Sequence, residues 1–404
     1  MDDARTAARD VVIASYLGWT LDAFDFFIMI FAFAGVAQTF QVSGLTVTIA
    51  ITLTLAMRPV GAFIFGRLGD HFGRRPILMI DVLMFSAFEL LSAFAPTMGW
   101  FLVFRALYGV AMGGEWGLGA SLTMETIPAS WRGWVSGLLQ AGYPSGYFLA
   151  TIVFGALYPI IGWRGMFVVG VLPALLVFYI RARVPESPTW EEGRKLPRAR
   201  LVEVLSRHVG LAIYVVILMT AFNFFSHGSQ DLYPVAFLQD QLKFSHSTVT
   251  AIALAYNAGA IIGGLAFGQL SQRIGRRWAI VIAAVLALPL LPWWAFGTTP
   301  LEVGFAAFFM QVMVQGAWGV IPVHLNELSP PEVRATFPGF TYQLGNFLAS
   351  ANATIQYAWA DALGHDLRWP LAGTIAIVAI VIAVMVAFGV ERHSVAMRTA
   401  SAPG

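Results

Sequence analysis

Asn223, His227 and Asp231 recur at i, i+4 and i+8 in the string N-F-F-S-H-G-S-Q-D, with Ser226 and Gln230 beside them. On an α-helix these positions share one face. They lie inside residues 209–238, an otherwise apolar run long enough to cross a bilayer. Ionisable side chains at membrane depth are costly and usually face a water-filled path. Imidazole titrates near physiological pH, and a carboxylate one turn away tunes it. His227 and Asp231 can therefore take up a proton on one side and release it on the other. Asn223 and Gln230 offer neutral hydrogen bonds to a substrate.

Arg58 stands midway along the second apolar run. A guanidinium stays charged at any working pH and forks onto a carboxylate through two parallel hydrogen bonds. Either Arg58 holds the carboxylate of an acidic substrate, or it pairs with Asp22 or Asp25 to fix helix packing. The two readings are compatible in different states of one protein. Asp22 and Asp25 sit at i and i+3 and approach one face of the first run. Two carboxylates that close in a low dielectric make one of them a candidate proton carrier, with Asp25 the path-lining member. Arg105 and Glu115 flank Gly109, Gly113 and Gly114 on the fourth run, small residues that suggest close helix packing. Tyr143 and Tyr147, in G-Y-P-S-G-Y, share a face of the fifth run, and Gln343 lies on the eleventh. All three are candidates to line a small-acid pocket, as are Phe26, Phe27 and Asn346.

The elements that must position these residues are membrane helices. The chain has 404 residues, 58% apolar and 11% charged, with a mean hydropathy of +0.72. Soluble domains average about 25% charged, so a polytopic membrane protein is expected, with the bilayer as its surroundings. A net charge of +2 gives no reason to expect nucleic acid as a partner. The absence of cysteine excludes disulfides and thiolate metal sites. No phosphate loop, metal spacing or Ser-His-Asp arrangement is present, so neither an enzyme nor a cofactor is expected, and protons are the coupling ion. Residues 1–10 carry no signal-peptide pattern, so the first run is expected to remain as a helix.

Twelve runs can span: 11–33, 45–65, 77–94, 100–121, 135–157 and 163–180, then 209–238, 249–270, 279–296, 303–325, 336–358 and 370–390. This divides the chain into a first bundle (1–183), a central loop (184–207) and a second bundle with a short tail (208–404). With the N-terminus inside, nineteen Lys and Arg fall in cytoplasmic segments, against Arg164, Lys243 and Arg368 outside. Both termini are therefore expected in the cytoplasm of a plasma membrane, a bacterial inner membrane by expectation. The halves repeat at an offset of 202: G-R-L-G-D-H-F-G-R-R at 66–75 answers G-Q-L-S-Q-R-I-G-R-R at 268–277. The same offset maps Glu125 onto Glu327 and Arg132 onto Arg334. Parallel repeats of this kind bind substrate near the midplane between the halves. Asp70, Arg74, Arg75, Glu125 and Arg132 cluster at the cytoplasmic end, where they are expected to gate. Gln272 replaces Asp70 in the second repeat, so that network is expected to be asymmetric.

The loop after the second run resembles the signature of the major facilitator superfamily. W-T-L-D-A-F-D-F-F at 19–27, R-P-V-G-A from Arg58 and G-G-E-W-G at 113–117 resemble the sialate/lactate:proton symporters within it. Residues 223–231 are similar to the seventh-helix motif of fungal lactate permeases, with Val235 where that motif ends in Thr. The resemblance implies an all-α membrane fold of twelve helices in two pseudo-symmetric bundles. It also implies a monomer and proton coupling assisted by Arg105. The expected function is symport of a small monocarboxylate, such as lactate or pyruvate, with a proton. Alternatives are a symporter for sialic acid or another organic or aromatic acid, and a membrane sensor of such acids.

Overall fold

The computed structural model describes residues 2–194, 201–393 and 397. Lys195, Arg198, Arg200 and Arg398, counted above among the cytoplasmic charges, lie outside the described residues.

Nine stretches among the described residues are long and apolar enough to cross a membrane. One of them, Ala129–Arg183, spans 55 residues. It breaks at Gly162 (φ 62°) into two passes. Met98–Thr126 and the pair Thr336–Ala349 and Asn352–Ala362 complete twelve passes. Both carry buried polar side chains, Arg105, Glu115 and Glu125 on one and Gln343, Asn346 and Asn352 on the other, and the second is broken at residues 350–351 into helices of 14 and 11 residues. Large apolar side chains such as Ile152, Phe178, Leu301 and Phe305 point outward, as a lipid-facing surface requires.

The first four passes are Asp2–Phe31, Gly44–Phe72, Arg74–Ala93 and Met98–Thr126. The fifth and sixth are made by Arg132–Val169 and Ala174–Arg183. Val209–Gln230 forms the seventh pass and continues as a π-helix, Tyr233–Gln241, with Pro234 in its first turn. The helical ladder thus breaks at Pro234, as a ring without an N–H dictates. His246–Ile274 is the eighth pass and Arg276–Ala287, prolonged by Leu291–Phe296, the ninth. Pro300–Gly319 with Ile321–Leu328 is the tenth, and Arg368–Ala387 follows the broken eleventh.

Helix starts are written in short polar caps. Ser43, Thr97 and Ser245 each accept from the amide three residues on, and Thr299 with Glu302 forms a capping box. At the other end, the second and eighth passes turn directly into the third and ninth through Gly73 (φ 109°) and Gly275 (φ 92°). The segment 66–75, read from sequence as a loop, is helical up to Phe72. Its polar residues prolong the pass beyond the apolar run. The stretch 181–208 holds two short helices, Pro188–Gly193 and Leu201–Arg207.

Glycines let backbones touch inside each half. A Cβ at Gly61 would lie 1.7 Å from the carbonyl oxygen of Val110, and one at Gly263 would lie 2.1 Å from that of Val312. These pairs repeat at the same offset of 202. Between the halves, the fifth pass packs on the eighth and the second on the eleventh.

Candidate functional site

Five carboxyl groups and two guanidinium groups are buried among the first five passes, away from either end: Asp22, Asp25, Asp81, Glu89 and Glu115, with Arg58 and Arg105. Arg58 Nη2 donates to Asp22 Oδ2 at 3.4 Å, a single long contact. Arg58 Nε and Asp22 Oδ1 have no hydrogen-bond partner. The sequence left Asp22 and Asp25 open as partners of Arg58, and the structure selects Asp22. Asp25 lies instead beside Glu89, both side chains approaching Gly170, and neither of its oxygens is hydrogen-bonded. Arg105 pairs with Glu89 at 2.5 Å and lies over the Tyr108 ring, 3.9 Å from its centroid. Its partner is therefore on the third pass and is not Glu115 on its own helix. Two guanidinium groups against five carboxyl groups leave three acids without a counter-charge.

On the second half, His227 Nδ1 lies 3.1 Å from Asp231 Oδ1, and Nε2 lies 3.0 Å from Asn346 Oδ1 on the eleventh pass. Two acceptors flanking the ring are the arrangement an imidazolium satisfies with both its N–H groups. The side chains of His227 and Asp231 remain 34% and 39% exposed, so the pair is accessible to solvent. Gln230 Nε2 donates to Gln311 Oε1 at 3.0 Å, Gln311 to Ser229, and Gln315 to Ser226. The polar face of the seventh pass is thus divided. Ser226, Ser229 and Gln230 bind the tenth pass, while His227 and Asp231 border water. Asn223 is buried and donates its amide to the carbonyl of Met219, so that donor is committed to its own helix.

An aromatic cluster extends from Arg58 through Phe26. Phe26 lies 5.8 Å from its guanidinium carbon, and Phe27 contacts both Tyr143 and Tyr147, at 5.4 and 5.0 Å between centroids. Trp19 packs on Tyr143. Gln343 is buried, and neither its amide nitrogen nor its oxygen has a partner. Arg58 lies within Coulombic reach of Tyr143, Tyr342 and His227, so its charge is felt on both sides of the midplane.

At the end carrying the Gly73 and Gly275 turns, the halves are clamped together. Arg74 forks onto Glu125 at 3.1 and 3.2 Å, and Arg276 onto Glu327 at 3.0 and 3.2 Å. Across the boundary, Arg132 faces Glu327 and Arg334 faces Glu125, each at 3.9 Å. Asp70 accepts from the Ala335 and Thr336 amides at 2.9 and 3.2 Å and from the Thr336 hydroxyl at 2.5 Å, closing the start of the eleventh pass. Gln272 accepts from the Gly133 amide at 3.1 Å at the start of the fifth. The two repeats share this one backbone hydrogen bond at the same offset, and the asymmetry expected from Gln272 persists around it: Asp70 accepts twice more from Thr336, whereas Gln272 donates to the Ala129 carbonyl. Arg75 differs from the other gating candidates. It donates to the Arg181 carbonyl within its own half, and Glu186 accepts from the Arg74 and Arg75 amides.

This clamp yields a prediction. Asp70→Asn keeps the shape and one acceptor oxygen for the Ala335 amide, but it sets an NH2 group against the Thr336 amide and removes the charge facing Arg74, so it should loosen this end of the boundary. The chain has no cysteine, so Ser136→Cys, buried where its hydroxyl meets the Val323 amide of the other half, is a clean reporter. Its labelling by a maleimide should be faster in the Asp70→Asn background. Equal rates would remove Asp70 from the gate.

Sequence reading missed Glu89 and Asp81. Both stand in the third apolar run, where an isolated acid was available as a signal. Glu89 is the counter-ion of Arg105, and Asp81 is buried with both oxygens unpartnered.

A family model described as Major Facilitator Superfamily matches residues 15–351 and, overlapping, 216–403. The chain belongs to the major facilitator superfamily. It is 31% identical to the carboxylic acid transporter protein homolog of Saccharomyces cerevisiae over 88% of this chain, and spans 61% of that relative's length. It is 30% identical to the probable 4-methylmuconolactone transporter of Cupriavidus pinatubonensis, over 84% of this chain and 81% of the relative. The solved proton:xylose symporter XylE superposes with a TM-score of 0.76 at 17% identity, over 96% of this chain and 97% of that one. That last likeness establishes the fold alone. The protein is a multi-pass secondary transporter of this superfamily and not an enzyme.

Proposed function

We propose that the protein carries a small monocarboxylate together with a proton by alternating access across a plasma membrane, with both termini in the cytoplasm. The observation that carries this reading is Arg58. It is a buried guanidinium at the midplane, held by one 3.4 Å contact, with unspent donors and aromatic neighbours. Such a fork receives a carboxylate through two parallel hydrogen bonds. Tyr143, Tyr147 and Gln343 complete the pocket, while Asn223 and Gln230, committed to their own helix and to the tenth pass, brace the seventh helix behind it. The proton enters at His227 and Asp231, where water reaches the pair, and comes to rest on Asp22 among the buried acids of the first half. Asp70, Arg74, Glu125 and Arg132 keep the cytoplasmic side shut until the halves rock.

Two relatives whose names specify a carboxylic acid and a muconolactone support an organic-acid substrate. A second reading, a planar unsaturated or aromatic acid in place of lactate, is favoured by the rings of Phe26, Phe27, Tyr143 and Trp19 that extend from Arg58. Competition of pyruvate, propionate, succinate, benzoate, muconate and sialate against labelled lactate in proteoliposomes separates the two. An anion moving with one proton carries no net charge, whereas an uncompensated charge feels roughly 2.3 kcal/mol per 100 mV. Uptake should therefore follow an imposed pH gradient and ignore an imposed voltage at fixed pH. Saturable binding without accumulation would mark a sensor instead.

A further inference from the structure

The offset of 202 maps Trp116 of the fourth pass onto Trp318 of the tenth. Both rings pack on Tyr342 of the eleventh, at 4.7 and 5.5 Å between centroids. Trp318 is pinned by its indole N–H, which donates to the Phe222 carbonyl at 3.2 Å. The same offset maps Tyr342 back onto Gln140, so the two tryptophans repeat and the ring between them does not. The three rings lie about one turn beyond Arg58. The fourth pass crosses the second at Gly113, where a Cβ would lie 2.1 Å from the Arg58 carbonyl oxygen. Trp116 follows three residues later, a rise of about 4.5 Å, on the way to Glu125 and the clamp. Arg58 and Asp22 are within Coulombic reach of Tyr342. Just beyond the rings the halves meet backbone to backbone: a Cβ at Gly117, next to Trp116, would lie 2.9 Å from the Cα of Gly339, one turn before Tyr342. Gln343, next to Tyr342, is buried with both amide atoms unpartnered, which marks this level of the boundary as one that receives a polar ligand.

We infer that Tyr342 is the floor of the acid pocket and sets the length of acid the site accepts, restricting it to short-chain monocarboxylates. The inference rests on the reading above, in which Arg58 holds the carboxylate. With the carboxylate on Arg58, the body of the acid gains most by turning from the water at His227 and Asp231 towards the rings, where its apolar surface is buried. The space it enters is about one helical turn deep. The rings rest on touching backbones and cannot sink further. Trp116 and Trp318 flank Tyr342 and hold its ring in place, so they act as positioning residues, while Tyr342 meets the far end of the acid. A body longer than this depth either lifts the carboxylate off the fork or presses on the ring, and both cost affinity. The floor therefore favours the small acid over the longer planar one.

The test is competition by straight-chain monocarboxylates, from acetate to octanoate, against labelled lactate bound to the purified full-length protein. In the wild type, affinity should peak at the short members and fall as the chain lengthens. Tyr342→Ala should move the peak to longer members, with about a fourfold gain per methylene group up to the new limit, while lactate itself binds more weakly. Tyr342→Phe, which keeps the ring, should keep the wild-type limit, and Tyr342→Trp should shorten it. A folded Tyr342→Ala protein that still binds lactate with its peak unmoved, or with the whole series weakened equally, would mark Tyr342 as a structural support. That result would overturn the inference and leave the symport reading standing. If Tyr342→Ala does not fold, an unchanged limit in Tyr342→Trp would overturn it as well. A wild type with which no member of the series competes would overturn the carboxylate reading together with the floor.

Discussion

Arg58→Ala should remove high-affinity acid binding, and no other single substitution in the pocket should cost as much. Truncating one member of a buried, hydrogen-bonded charge pair costs roughly 2–5 kcal/mol, which corresponds to at least about a thirtyfold loss of affinity. The loss should fall on every carboxylic acid tested, because the guanidinium reads the carboxylate and not the body of the molecule. Arg58→Lys separates charge from geometry. A lysine keeps the positive charge beside Asp22 but presents a point charge where the arginine presents a planar fork, so an intermediate affinity is expected. Since Arg58→Ala also leaves the buried Asp22 without its partner, monodispersity in detergent and thermal stability must be compared alongside binding. A folded Arg58→Ala protein that binds lactate as the wild type does would move the anion site elsewhere.

The fold was legible because its signals are periodic and repeated. Apolar runs of bilayer length and a 202-residue offset between two polar turns define twelve passes without reference to any contact. The offset went further than expected, down to single hydrogen bonds: Arg74–Glu125 answers Arg276–Glu327, and Asp70 on Ala335 answers Gln272 on Gly133. What sequence could not supply was partnership across helices. Asp22 and Asp25 are three residues apart, yet one meets the second pass and the other lies beside Glu89 of the third, because a helix face broad enough to hold both touches different neighbours. Spacing along the fourth run named no partner for Arg105, because that partner, Glu89, is 16 residues earlier on the adjacent pass. The seventh helix shows the same limit. Spacing put Ser226, His227, Gln230 and Asp231 together, but the glutamines of the tenth pass claim two of them and leave His227 and Asp231 to the water.

That division shapes the remaining prediction, on His227 and Asp231. Their exposure makes the pair an entry point, and the two acceptors on the ring suit it to receiving a proton and passing it inward. His227→Ala or Asp231→Asn should slow the initial rate of uptake driven by a pH gradient by tenfold or more, the lower reach of what a positioned proton-transfer group contributes. Counterflow exchange of labelled for unlabelled lactate at equal pH moves no net proton and should be largely spared. Given time, the accumulation plateau should still approach about tenfold per pH unit of gradient, because one pH unit is worth 1.36 kcal/mol per proton carried. A rate loss with the plateau kept assigns the pair to proton delivery, with the carried proton resting on Asp22. Unaltered gradient-driven rates in both variants would exclude the pair from the proton path altogether.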